Sequence, residues 1–160
     1  MPALIISFAI ALLDQITKYQ VRLHFGLGES AAVIPGFFSL TYVRNTGAAW
    51  GMFGGFNAWL TLLSVVMLIV IVLFRRSFLN DTWAHRCALG LMIGGIVGNL
   101  VDRVRLFYVV DFLDFYWRNY PHFPAFNIAD SAICCGVFLY MISSFWSSSR
   151  EARELPPDAS

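Results

Sequence analysis

Charged residues are scarce in this chain. Only 13% of its 160 residues are charged, whereas 58% are hydrophobic and 16% are aromatic. In a soluble domain about a quarter of the residues are charged, so this sequence has too little polar surface to cover a water-soluble globule. The formal net charge of +1 gives no reason to expect a nucleic-acid partner. The composition and length indicate one membrane domain.

Cysteine and histidine are also scarce, and neither occurs at the spacing of metal ligands. Cys87, Cys134 and Cys135 lie in apolar runs without a CxxC pair, and the 3 histidines are scattered. We therefore expect no metal site, and we expect the cysteines to be small, buried apolar residues. The chain also lacks a Gly-x-Ser-x-Gly run and a Cys/His pair, which argues against a serine or cysteine nucleophile.

Long apolar runs, by contrast, are abundant. A helix of about 20 mainly apolar residues crosses a bilayer. Four segments approach that length, at residues 3–23, 58–74, 84–101 and 126–146. The first has no preceding basic residue and no small-x-small cleavage site, so we expect a retained helix and not a signal peptide. The sequence predicts a membrane all-α fold with four transmembrane helices and both termini on one side.

The two long connections between these helices differ in composition. Residues 38–43 are rich in β-branched and aromatic side chains between two turn sequences, which predicts a small β-rich surface element at about 33–50. The connection 104–125 is dense in aromatic residues and is predicted to lie at the membrane interface. Both belong to a single domain, residues 1–147. The polar tail, residues 148–160, is predicted to be disordered.

Two aspartates at the edges of apolar segments are the candidates for chemistry. Asp111 follows two valines, and Asp130 falls in the first turn of the predicted fourth helix. Burial should raise the pKa of Asp111, while the helix macrodipole stabilises a negative charge at Asp130. Such different environments suit an acid and a base that share one water. The pair could instead bind a cation or relay protons. Asp114 is predicted to lie in a wetter, interfacial position.

Two further polar groups interrupt the apolar helices. Asp14 and Lys18 are four residues apart on the first helix, where they are predicted to neutralise each other within the membrane. Asn99, Asp102 and Arg103 lie at the end of the third helix. They are either an ion pair that closes the helix or polar surroundings that orient a nearby catalytic carboxylate. Their spacing alone does not separate these two interpretations.

Taken in order, the motifs resemble those of the bacterial lipoprotein signal peptidases (signal peptidase II). The blocks are Asp14-Gln-Ile-Thr-Lys18, Asn45-Thr-Gly-Ala-Ala-Trp-Gly51, Gly94 to Arg103 with Val110-Asp111-Phe112, and Phe126-Asn127-Ile-Ala-Asp130. The resemblance covers nearly the whole chain. It has one departure, because Phe107 stands where the family usually has a glycine a few residues before its catalytic aspartate.

This resemblance implies an aspartyl endopeptidase of the bacterial inner membrane, with both termini in the cytoplasm and the active site toward the outer face. It implies cleavage of a diacylglyceryl-modified prolipoprotein just before the lipidated cysteine. The expected enzyme is a monomer that contacts membrane lipid and needs neither a metal nor another cofactor. The implied catalytic pair is Asp111 and Asp130. The other implied site residues are Asn45, Asn99, Asp102, Arg103 and Asn127 as polar surroundings, with Asp14 and Lys18 as the first-helix pair.

Two other classes of function stay open at this point. One is a small cation or proton transporter in which Asp14, Asp111 and Asp130 are relay groups. The other is a membrane-embedded binding or assembly factor without turnover, for which asparagine at both aspartate positions should leave function largely intact. The order of the motif blocks favours the peptidase over both alternatives.

Overall fold

The computed structural model describes residues 2–47, 56–78, 82–117 and 123–154. Within them lie four helices, α1 (Pro2–His24), α2 (Asn57–Phe78), α3 (Trp83–Leu106) and α4 (Ile128–Glu154). The strands of the same ranges are β1 (Ser30–Ile34), β2 (Phe38–Asn45) and β3 (Val109–Phe115). Each of the helices is long and apolar enough to cross a membrane. The predicted architecture of four transmembrane helices with a small surface sheet is confirmed.

Helix α3 occupies the centre of the bundle. It packs mainly against α4 and α1 and less against α2. Small residues allow this close packing in a membrane: a Cβ added to Gly94 would lie 2.7 Å from the carbonyl oxygen of Ser7, and one added to Gly98 would lie 2.6 Å from Asp14 Oδ2. The carboxylate of Asp14 therefore lies directly against the backbone of α3.

The three strands form one antiparallel sheet in the order β1-β2-β3. The register of β2 with β3 runs from Phe38 opposite Phe115 to Asn45 opposite Val109. Two boundaries differ from the sequence prediction, because β1 begins at Ser30 and β3 falls inside the connection 104–125 that was expected to be interfacial. The first four residues of β3 are all buried, so the strand lacks the alternation of apolar and polar residues that would have revealed it.

A compact apolar cluster fastens the sheet to one end of the bundle. It consists of Val21 from α1, Tyr42 from β2, and Val110 and Phe112 from β3, all buried. The side chains on both sides of Asp111 therefore belong to this core. The position of β3 against α1 is fixed by burial of these side chains, since removing apolar surface from water is the main source of stability in such a contact.

Helices α3 and α4 both extend beyond their predicted ends. Helix α3 continues to Leu106, where Phe107 closes it in the left-handed conformation with φ of 64°. Helix α4 continues to Glu154, into the segment that was predicted to be a disordered tail from residue 148. Residues 150–154 are mostly good helix formers, which accounts for this correction, and residues 155–160 lie outside the described ranges.

Candidate active site

Asp111 lies near the middle of β3 with its side chain enclosed. It pairs across the sheet with Val43 and is only 1% exposed. Asn45 Nδ2 donates to Asp111 Oδ2 at 2.9 Å, and Asn127 Nδ2 donates to Asp111 Oδ1 at 2.6 Å. Burial first, and then the charge of Asp130, raise the pKa of Asp111 to about 7, although the two amides act in the opposite direction. Near neutral pH this carboxyl is therefore divided between its protonated and ionised forms.

Asp130 lies in the first turn of α4, as predicted, and Asn127 caps that helix. Asn127 Oδ1 accepts a hydrogen bond from the backbone N–H of Asp130 at 2.9 Å. The backbone N–H of Asn127 donates in turn to Asp130 Oδ2 at 3.4 Å. This reciprocal pair has the pattern of a capping box, so the same two residues also determine where the helix begins. Because the amide of Asn127 also bonds Asp111, one residue holds both carboxylates.

The segment that leads into α4 is held against β3. The backbone N–H of Leu113 donates to the carbonyl of Phe126 at 2.8 Å, and the N–H of Phe126 donates back to the carbonyl of Leu113 at 3.1 Å. Backbone pairing of this kind fixes the two chain segments side by side. It brings the start of α4, and with it Asp130, next to Asp111.

Asn99 of α3 connects Asp130 to the charged residues of α1. Its Nδ2 donates to Asp130 Oδ1 at 2.7 Å. Its Oδ1 accepts from Lys18 Nζ at 2.8 Å and from Asn127 Nδ2 at 3.1 Å. A lysine can only donate, so Lys18 orients the amide with its NH2 group toward Asp130. The lysine acts on the carboxylate through Asn99 and not by direct contact.

Asp14, Lys18 and Asp102 form a buried group, called here the ion cluster, beside the site. Lys18 Nζ lies 2.8 Å from Asp14 Oδ2 and 3.2 Å from Asp102 Oδ2, so the predicted pair within α1 is present and has a third member. Asp14 Oδ1 also accepts from the N–H of Ala129 at 2.9 Å, and Asp102 Oδ2 accepts from the N–H of Val110 at 3.0 Å. The ion cluster therefore holds the backbone immediately before each candidate catalytic aspartate.

The two charged residues at the end of α3 have different surroundings. Asp102 pairs with Lys18 and not with its neighbour Arg103, so the interpretation as polar surroundings fits the geometry. Arg103 faces the same pocket as Asp111 and Asp130 and interacts electrostatically with both. Sequence reasoning overlooked one further residue. Gln15 Nε2 donates to Asp102 Oδ1 and to the carbonyl of Gly98, each at 3.0 Å, and its position inside the first motif block was the available signal.

Asp111 and Asp130 face one pocket of about 420 Å³. Its other polar walls are Asn45, Asn99, Arg103 and Ser131, and its apolar walls include Val109, Phe123, Phe126, Ile133 and Cys134. In the described ranges no group of three His, Cys, Asp or Glu side chains is placed to hold a metal ion. Two carboxylates on one space, surrounded by neutral amides, are an arrangement that activates a water for hydrolysis.

Three predictions about individual side chains turn out differently. Cys87 is buried as predicted, but Cys134 and Cys135 are exposed on the surface of α4. Burial of these two cysteines was wrongly predicted because lipid is as apolar as a helix interface. An apolar sequence therefore does not show which face of a helix packs against protein and which faces lipid. Asp114 is only 8% exposed, not interfacial and wet, and Thr41 Oγ1 donates to its Oδ2 at 2.9 Å.

Comparison with known proteins is consistent with this geometry. The family described as Signal peptidase (SPase) II matches residues 6–146. The lipoprotein signal peptidase of Shewanella loihica is 47% identical over 138 residues, which are 84% of this chain and 80% of that protein. That of Geobacter sulfurreducens is 46% identical over 143 residues, 88% of this chain and 89% of the relative.

A solved structure of a bacterial membrane enzyme, obtained by the in meso method at 2.3 Å, superposes with a TM-score of 0.83 at 34% identity. The match covers 99% of this chain and 94% of that one. A second structure of a bacterial membrane enzyme, at 1.9 Å, gives a TM-score of 0.76 at 37% identity and covers 88% and 90% of the two chains. Among the three functions considered, these similarities favour the peptidase.

Proposed function

Since the chain belongs to the signal peptidase II family, we propose that Asp111 and Asp130 are the catalytic pair with which it acts. The protein is a membrane aspartyl endopeptidase that removes the signal peptide from diacylglyceryl-modified prolipoproteins, before the lipidated cysteine. The observation that carries the proposed pair is geometric. Both carboxylates face one pocket, and each is hydrogen-bonded by a side-chain amide.

The two carboxyl groups divide the chemistry by their protonation. With a pKa of about 7, Asp111 retains its proton in much of the enzyme at neutral pH, and the proposed mechanism assigns the role of general base to Asp130. Asp130 removes a proton from the water, and the oxygen of that water bonds to the scissile carbonyl carbon. In the same step Asp111 donates its proton to the carbonyl oxygen. The C–N bond then breaks as Asp130 returns a proton to the amine and Asp111 recovers one from the hydroxyl group.

The neutral partners suit this exchange of roles. Asn45 and Asn127 donate to Asp111, and Asn99 donates to Asp130. Among the residues that the structure describes, neither carboxylate is paired to a cation. A directly paired cation strongly favours the ionised form of a carboxylate, which would oppose the step in which that carboxyl must hold a proton. Arg103 adds one positive charge to the wall of the pocket, where it stabilises the ionised member of the pair.

The placement of the site supports a lipid-modified substrate. The catalytic pocket opens among apolar side chains at the end of the bundle that carries the sheet. An acylated substrate can therefore arrive by diffusion within the bilayer, in contact with membrane lipid. We place this end at the outer face of the inner membrane and both termini in the cytoplasm. The contacts described for both carboxylates come from a single chain, which supports a functional monomer.

Cleavage of a diacylglyceryl-modified prolipoprotein by the purified protein in detergent tests the proposal. We expect Asp111→Asn and Asp130→Asn each to lower the rate by about a thousandfold or more, since general acid–base catalysis supplies about 10²–10⁴ per group. The matched control is Asp114→Asn. It makes the same substitution on the strand that carries Asp111, at a buried residue that bonds Thr41 and does not line the pocket.

The activities of these variants decide whether the pair is correctly assigned. Folded but inactive variants at 111 and 130, with an active variant at 114, support the assigned pair. Substantial cleavage by either variant of the pair would show that the pair is wrongly assigned. An inactive Asp114→Asn would then point to Asp114, and an active one would leave Asp102 to be tested. Asp→Glu at either position should also be nearly inactive, because catalytic groups must be placed to within about 0.5 Å.

A further inference from the structure

A second cleft lies on a different face of the bundle, between α1 and α3. Its volume is about 380 Å³, and it shares no lining residue with the catalytic pocket. Polar side chains from two helices reach it, including Gln15, Tyr19, Gln20 and Arg22 from α1 and Arg105 from α3. Nothing in the peptidase mechanism uses the two arginines, so the cleft needs an explanation of its own.

The basic residues of this cleft differ in whether they have acidic partners. At its inner end, Lys18 is paired with Asp14 and Asp102, and the carboxylate of Asp102 is further occupied by a hydrogen bond from Gln15. Arg22 and Arg105 are exposed. Across the ranges that the structure describes, neither guanidinium forms an ion pair. Two unpaired cations from different helices therefore converge on one concave space.

The two arginines lie at the ends of helices that are long and apolar enough to cross a membrane. Both occupy the last turn of a membrane-spanning helix, at the end of the bundle that carries the sheet. The helix macrodipole by itself favours a cation near a helix C-terminus. It does not explain why the terminal arginines of two helices line the same cleft. Below the arginines the wall includes Ile16, which is 48% exposed. The cleft therefore presents two cations at the helix ends, with one exposed aliphatic side chain, Ile16, on its wall below them.

We propose that the cleft between α1 and α3 binds a phosphate group through Arg22 and Arg105, as presented by an anionic phospholipid. Guanidinium groups match phosphate oxygens with two parallel hydrogen bonds. Tyr19 and Gln20 also line the cleft and carry further hydrogen-bond donors. Ile16 provides a surface for the first part of an acyl chain, which favours a phospholipid over free phosphate as the source of the group. Basic pockets between membrane helices hold such headgroups on the cytoplasmic side of membranes, and the same pairing of guanidinium with phosphate is available at the end of the bundle that carries the sheet.

Ligand-dependent thermal unfolding tests this site. The parent in nonionic detergent is titrated with dihexanoylphosphatidylglycerol, dihexanoylphosphatidylcholine or inorganic phosphate, and the unfolding midpoint is recorded, since a ligand of the folded state raises it. We expect phosphatidylglycerol to raise the midpoint more than phosphatidylcholine. In the Arg22→Gln/Arg105→Gln protein the apparent affinity for phosphatidylglycerol should fall about tenfold or more, given the free energy that each basic residue contributes near a lipid surface.

Arg44→Gln is the matched control for this test. Arg44 is exposed and also belongs to the sheet end of the molecule, but it stacks on the rings of Tyr42 and Tyr108 and does not line the cleft. A response retained in Arg44→Gln and lost in the double variant supports the site. Inorganic phosphate acting as strongly as the lipid would identify free phosphate as the source. No charge-selective response in the parent, an undiminished response in the double variant, or an equal loss in Arg44→Gln would overturn the proposal.

Discussion

Two adjacent polar regions of this protein treat their carboxylates differently. In the ion cluster, Lys18 lies within 3.2 Å of both Asp14 and Asp102. In the proposed catalytic pocket, Asp111 and Asp130 are bonded by asparagine amides, and no ion pair reaches either of them in the described part of the chain.

This difference in partners matches two different roles: the carboxylates of the ion cluster hold the structure, and those of the proposed pair exchange a proton. A buried carboxylate that only positions backbone can be matched by a cation, because its charge never has to change. A carboxyl group that must gain and lose a proton at neutral pH needs partners that stabilise its orientation without fixing its charge. The two regions are nevertheless connected, since the ion cluster bonds Ala129 and Val110, the residues before the proposed catalytic pair.

The largest expected effect on stability follows from breaking the ion cluster. Lys18→Met leaves the carboxylates of Asp14 and Asp102 buried without their cation, and removing one partner of a buried pair typically costs about 3–5 kcal/mol. We expect a large fall in the thermal unfolding midpoint in detergent. A Lys18→Met protein as stable as the parent would mean that this cluster does not hold the fold.

Asp111→Asn provides the contrast to that variant, because it should be inactive yet stable. The pKa of Asp111 is raised on folding to about 7, so its protonation stabilises the folded state at low pH. This stabilisation is present below the unfolded pKa and is lost as the pH rises through about 7. Asparagine carries no charge at any pH. The stability of the variant relative to the parent should therefore increase as the pH rises from about 4 to about 7, so that it is clearly greater at pH 8 than at pH 5.

The next effect concerns the pocket wall rather than the carboxylates. Cys134 lines the catalytic pocket, one helical turn beyond Asp130, whereas its neighbour Cys135 is exposed but does not line it. Labelling Cys134 with N-ethylmaleimide should lower activity at least about tenfold, because a bulky group there displaces the substrate from its reactive position.

Two single variants compare these neighbouring thiols directly. Cys135→Ser retains Cys134 and should be inactivated by the reagent, while Cys134→Ser retains Cys135 and should stay active under the same treatment. Mass spectrometry measures labelling at each position, so that resistance is not confused with lack of reaction. Equal inactivation of both variants would contradict the position assigned to Cys134.

Several features of this site were predictable because they depend on local sequence. Apolar runs of membrane length predict the helices, and the motif that contains Asp130 marks the start of α4. The contacts that position the catalytic backbone were not predictable in this way. Asp14 bonds the N–H of Ala129 across 115 positions of the chain, and no local pattern encodes that contact. Strand β3 was missed because Val109 to Phe112 are buried throughout, which hides the alternation of a strand.

A smaller effect separates the two roles of the amides, orientation and control of protonation. The hydrogen bond from Asn45 favours the ionised form of Asp111 and so lowers its pKa. In Asn45→Ala this donor is lost, and the pKa of Asp111 should rise further. Activity that requires protonated Asp111 should then persist to higher pH, by about one pH unit, since one unit corresponds to about 1.4 kcal/mol.

The measurement is the pH dependence of kcat/KM for cleavage by the parent and by Asn45→Ala. The alkaline limb of the parent should fall near pH 7, and that of the variant should lie above it. Loss of rate without displacement of the limb would mean that Asn45 only orients Asp111. Displacement to lower pH would contradict the assignment of Asp111 as the group that is protonated first.

The smallest effect concerns Phe107, the residue that connects α3 to β3. Phe107 joins α3 to β3 with φ of 64°, a conformation that costs a residue with a Cβ about 1–2 kcal/mol and costs glycine almost nothing. Its side chain is 71% exposed, so little packing is lost when it is removed. Phe107→Gly should therefore raise stability by about 0.5–1 kcal/mol, after allowance for the greater freedom of glycine in the unfolded chain.

Phe107→Val is the matched comparison for that substitution. A β-branched side chain tolerates the left-handed conformation poorly, so this variant should unfold at a lower temperature than the parent, while Phe107→Gly unfolds at a higher one. Both should retain cleavage, because Val110 and the start of β3 are fixed independently by the bond to Asp102. If Phe107→Gly instead destabilises the protein, the exposed ring contributes more through contact with detergent or lipid than the backbone strain costs.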